Sequence, residues 1–152
     1  LNLSFFSKIL IILLVLSSIF GVFLYFHNDK YIIPSSQCDI DGMRVCRLIN
    51  DQKILSVQFT QPIELEEELN LLIKVPESVV LHQTWVQGIN MYMGKSAVMV
   101  ESTYSEAGGL AYQSKLFLGA CSEPDMKWQL VVQTKDSEQN IQSYFFNFET
   151  HY

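Results

Sequence analysis

The residues of this chain whose types can do chemistry are its three cysteines, five methionines and three histidines. Cys38 and Cys46 bracket the segment Cys-Asp-Ile-Asp-Gly-Met-Arg-Val-Cys, which is symmetric about Gly42. An Asp41-Gly42 turn folds such a segment into a hairpin and brings the two β-carbons to the roughly 3.5–4.5 Å that a disulfide needs. A Cys38–Cys46 disulfide is therefore expected; its small loop gains modest chain entropy and mainly pins the start of a domain. The competing reading is that two of the three cysteines are buried thiols. Cys121, in the stretch Leu118-Gly-Ala-Cys-Ser-Glu-Pro-Asp-Met-Lys-Trp128, is left over. An unpaired cysteine in an oxidising compartment invites a partner or a soft metal.

Methionine adds to that chemistry. Met91 and Met93 form a Met-x-Met between Gly88 and Gly94, and Met126 follows Cys121 by five residues. In extended chain, residues two apart point the same way. Thioether and thiolate are the ligands that select Cu(I), so Met91, Met93, Cys121 and Met126 make a candidate metal set, with His82 as a spare imidazole. Ordinary core packing competes with this reading, because methionine is also the filler of irregular cores. For four such ligands to meet, the loops around Met91–Met93 and Cys121–Met126 must lie at one end of the domain, since a strand of six residues separates its ends by about 20 Å.

Enzymatic signatures are missing. The chain has no nucleophile elbow, no His-Glu-x-x-His, no phosphate-binding glycine loop and no Cys-x-x-Cys. With only His27, His82 and His151 to draw on, a catalytic triad has little material, and no catalytic residue is expected.

The elements that must position these residues follow from hydropathy. From Ile9 to Phe26 no charged residue occurs, and only Ser17, Ser18 and Gly21 interrupt the apolar side chains. A helix rising about 1.5 Å per residue over this run and its flank spans a hydrocarbon core of roughly 30 Å. The run ends in Phe-Leu-Tyr-Phe-His with no small-x-small site, which favours an uncleaved anchor over a signal peptide. Residues 1–27 are thus read as a transmembrane anchor, 28–37 (with Pro34 and two serines) as a stalk, and 38–152 as one extracytoplasmic domain. Lys8 on one side and Lys30, Arg44 and Arg47 on the other leave the positive-inside count undecided. The short N-terminal tail and the cysteine usage favour the N-terminus inside.

After the stalk the period becomes two. Leu55, Val57 and Phe59 alternate with polar residues, as do Leu69, Leu71, Ile73 and Val75. Eight strands are predicted: Arg44–Ile49, Lys53–Thr60, Leu69–Val75, Val79–Gln87, Ala97–Glu101, Ala111–Leu118, Trp128–Thr134 and Ile141–Phe148. Turn chemistry separates them, the pattern of an antiparallel, Ig-like β-sandwich. Leu55, Val57, Phe59, Leu71, Ile73, Trp128, Leu130, Val132, Phe146 and Phe148 are expected to share one core. The run Glu64–Glu68 reads as a solvated loop. Residues 31–152 carry eight Lys/Arg against fifteen Asp/Glu, a face that repels phosphate backbones, so nucleic acid is not an expected partner.

The anchor, the polar stalk, Pro62-Ile63 opening the domain, the Met-Tyr-Met-Gly loop and the later Cys-Ser-Glu-Pro-Asp-Met-Lys-Trp stretch together resemble bacterial membrane-anchored Ig-like proteins of the FixH/YtkA-like kind, over roughly Pro62 to Phe148. The resemblance implies an accessory protein of the bacterial inner membrane, its C-terminal domain in the periplasm, associated with copper handling or respiratory oxidase assembly. This chain departs from the pattern in having no histidine beside Met-Tyr-Met, which bears on direct metal ligation. The alternatives are a structural interaction module that scaffolds an inner-membrane complex without metal, and a small-ligand binder using Trp85, Trp128 and the tyrosines.

Overall fold

The computed structural model describes residues 16–18, 37–50, 53–120 and 122–151. The chain divides into two units, Leu1–Ile32 and Ile33–Tyr152. Of the first, Leu16–Ser18 is helical and exposed. The predicted anchor otherwise lies outside the described residues, as do Cys121 and all of the stalk before Gln37. Among the described residues, no helix is long and apolar enough to cross a membrane.

The second unit is mainly β. Ten strands occur among its described residues: β1 (Gln37–Asp39), β2 (Cys46–Asn50), β3 (Lys53–Phe59), β4 (Glu68–Pro76), β5 (Val79–Gly88), β6 (Lys95–Ala97), β7 (Met99–Glu106), β8 (Gly109–Phe117), β9 (Asp125–Asp136) and β10 (Ile141–His151). They form two five-stranded sheets, sheet I in the order β1-β10-β9-β5-β6 and sheet II in the order β2-β3-β4-β8-β7. All pairings are antiparallel except β1 on β10.

The period-two runs account for the core. All ten residues expected to share it are buried in one hydrophobic cluster. Leu69, Val75, Leu116, Leu118 and Met126 join them. Phe59 of sheet II meets Phe148 of sheet I edge-on, with ring centroids 5.2 Å apart, and Trp128 stacks beyond Phe148 at 6.4 Å. Large rings from both inner faces thus close the sandwich, each burying 150–250 Å² or so. The Trp128 indole N–H donates to Thr150 Oγ1 at 2.9 Å, which satisfies both buried polar groups. This burial removes Trp128 from any ligand surface. On the outer face of sheet I, side-chain amides run in a ladder across three strands: Gln87 Nε2 donates to Gln129, and Gln129 Nε2 donates to Asn147.

Two expectations need correction. Cys38 and Cys46 do pair as a disulfide, with Cα atoms 6.0 Å apart, but not across a hairpin. The turn at Gly42 (φ +58°) is present, and Arg44 N–H donates to the Asp41 carbonyl. It carries the chain from one sheet to the other: β1 pairs with β10, and β2 pairs with β3. The disulfide therefore joins sheet I to sheet II. The predicted strand Ala97–Glu101 is likewise a crossing. The chain leaves sheet I after Ala97, pivots on buried Val98, and enters sheet II at Met99.

Candidate functional site

The predicted ligand loops do meet. At the end of the sandwich where β5 stops and β9 starts, Ile89 N–H donates to the Lys127 carbonyl at 2.8 Å. Asn90 then acts as a side-chain rung. Its Nδ2 donates to the Asp125 carbonyl at 2.8 Å, and its Oδ1 accepts from Lys127 N–H at 2.9 Å. Gly88 permits the fold-back, because a β-carbon there would run into the Met91 carbonyl and the Met126 side chain. Gly94, at φ +73°, releases the chain into β6 in a conformation that L side chains rarely adopt.

The result is a braced protrusion, residues 89–93. Tyr92 at its tip is 92 % exposed, with Ile89 (51 %) and Met91 (38 %) beside it. Behind it lies a polar cleft of about 600 Å³, lined by Ile89, the Asp41-Gly42 turn, Lys127 and Glu149 among others. Carboxylates surround the protrusion: Asp125 accepts a 2.8 Å hydrogen bond or ion pair from His151 Nδ1, and Glu149 lies 3.6 Å from Lys127.

Met126 is fully buried, and Met93 packs against the core cluster. Both belong to the packing between sheets, the competing reading of these methionines. Met91 is the exposed thioether of the set, and Cys121 lies outside the described residues. Among the described residues no group of three or more His, Cys, Asp or Glu side chains is arranged to hold a metal. His82 is exposed on a bulge in β5, between Leu81 and Gln83, and lines a different cleft.

No family model, curated protein or solved structure matches this chain.

Sequence reasoning found the Met-Tyr-Met loop but missed Asn90, whose amide braces it. The signal was faint: an asparagine just past a strand-ending glycine, where side-chain amides stand in for backbone groups. It also missed the pairing of Lys95 with Trp85, whose ring centroid lies 4.2 Å from Nζ.

Proposed function

We propose that this chain is a non-catalytic interaction module, held at a bacterial inner membrane by residues 1–27 with its Ig-like domain in the periplasm. The protrusion at 89–93 is the face it offers to another inner-membrane protein. The observation that carries this reading is the exposure of Tyr92 on a loop fixed at both ends. A flexible loop would hide an aromatic ring or lose entropy on docking, whereas a braced tyrosine presents amphipathic area at little cost. Aromatic residues and methionine are enriched at such contacts. The Lys127–Glu149 and His151–Asp125 pairs beside it give the contact a polar rim.

The strand order supports the Ig-like reading. With β3, β4, β8 and β7 as one sheet and β5, β9 and β10 as the other, neighbours and crossings follow the Greek-key order of immunoglobulin domains. The disulfide departs from that family, since it joins the first two strands and not the sheet centres.

The test is site-specific photo-crosslinking in cells. A benzophenone amino acid replacing Tyr92 is expected to give a discrete adduct, and one replacing Val80, exposed at the start of β5, is not. Equal labelling from the two positions would defeat the proposal.

A second reading, Cu(I) handling, draws support from the side-by-side placement of the 88–94 and 122–126 segments. Cu(I) titration of the wild-type chain and of Met91→Leu separates it from the first reading. Stoichiometric binding that is lost in the variant would favour metal.

A further inference from the structure

A second cleft, of about 640 Å³, opens at the β5–β6 edge of sheet I, where the chain crosses between sheets. Its walls are Leu81 and Thr84 of β5, the crossing residues Ala97 and Val98, Val100 of β7, and Tyr112 of β8. The volume falls in the range of small-molecule sites, about 300–1,000 Å³, and the walls are mostly apolar, as such sites usually are.

Strand addition is the obvious use of such a flank, and the structure disfavours it. Leu81 N–H on the outer edge of β5 donates to Tyr112 Oη at 3.2 Å. The Thr84 carbonyl accepts from Val98 N–H at 3.1 Å. β5 is irregular between Leu81 and Gln83, and β7 between Val100 and Ser102. Bulges and capped backbone groups are how proteins blunt an edge against pairing.

What remains in the cleft is polar chemistry of another kind. At the rim, Lys95 lies over the Trp85 ring, and no carboxylate pairs with it among the described residues. In a segment with nearly twice as many acids as bases, an unpaired ammonium fixed beside an apolar cleft is a selective feature. We infer that this cleft binds a small apolar molecule bearing one carboxylate, its chain against Leu81, Val98 and Tyr112 and its carboxylate on Lys95. This site is independent of the Tyr92 protrusion.

The test titrates the full chain, reconstituted in lipid nanodiscs, with octanoate while following tryptophan emission. Of the two tryptophans, Trp128 is buried in the core, so a change reports Trp85. A saturable change is expected, absent in Trp85→Phe and weakened in Val100→Phe, which narrows the mouth. Lys95→Gln is expected to lower affinity roughly tenfold, the loss of one charge-assisted contact, and Lys95→Arg to keep it. Octan-1-ol and octyltrimethylammonium control for chain and charge. The inference is overturned if octanoate gives no saturation, if the cationic analogue binds as well, if Lys95→Gln binds like wild type, or if the signal persists in Trp85→Phe.

Discussion

Removing the Cys38–Cys46 disulfide tests how the domain is held together at its first strand. The two cysteines are eight residues apart in sequence. Opening a loop of that size returns to the unfolded chain conformational freedom worth roughly 2.5 kcal/mol at 25 °C. The native side adds a smaller cost when alanine replaces both residues, because the sulfur of buried Cys46 leaves a small void while Cys38 packs only partly against the core. A loss of about 2–3 kcal/mol is therefore expected for the double alanine variant in urea unfolding. How the loss is expressed depends on β1, which has only three residues and one flanking rung, from Ile40 N–H to the Asn147 carbonyl at 2.7 Å. Hydrogen exchange should show the Ile40 amide losing protection first, while amides of β3 and β4 keep theirs, the signature of a local opening. If the variant unfolds within about 0.5 kcal/mol of wild type with Ile40 still protected, the disulfide is not the clamp described here and the chain-entropy reasoning fails.

Trp128→Phe should cost about 3 kcal/mol, combining a void with an orphaned Thr150 hydroxyl; Thr150→Val in the same chain should recover part of it, and thermal unfolding of the pair checks this. Gly109→Ala sets a β-carbon against the Val75 carbonyl in the neighbouring strand, so a loss at or above the upper end of about 1–3 kcal/mol is expected in denaturant titration. Lys115 hydrogen-bonds Glu101 at 2.8 Å and Glu68 at 2.7 Å, and these contacts, Glu101 first, hold its pKa well above the ordinary lysine range. Because the folded value is the raised one, its stabilising share is complete below the unfolded value of about 10.4 and is lost only as pH climbs beyond it. NMR of the Lys115 ammonium should show it protonated past that point, and Glu101→Gln should bring its titration down.

Much of the core was legible because its strands bury one face. Leu55-x-Val57-x-Phe59 and Leu71-x-Ile73 announce both strand and inward face. Sheet membership was not legible, since a turn glycine between two cysteines reads identically whether the chain returns beside itself or crosses to another sheet. β7 was mostly hidden for a different reason: every residue from Met99 to Glu106 is exposed, so no alternation marks it. β6 has three residues, too few to carry a period. At the site, the sequence brought Met91, Met93 and Met126 forward by atom type, whereas burial, which separates Met91 from the other two, depends on contacts between strands far apart in sequence. The placement of Lys95 over Trp85 is of the same kind, set by how β6 registers on β5.

The route by which tension enters the domain also follows from its first strand. A pull on the N-terminal segment reaches β1 at Gln37 and meets the rungs to β10, with Cys38 the second residue of the strand. After one residue the load passes through a covalent bond to Cys46, at the head of β2 on the outer edge of sheet II. Force is thereby divided between both sheets, and three rungs need not bear it alone. With the sulfurs reduced, residues 37–45 are the first length free to pay out, a span of at most about 30 Å at roughly 3.3 Å per residue. The disulfide thus sets how much chain ahead of β2 can be drawn out under load.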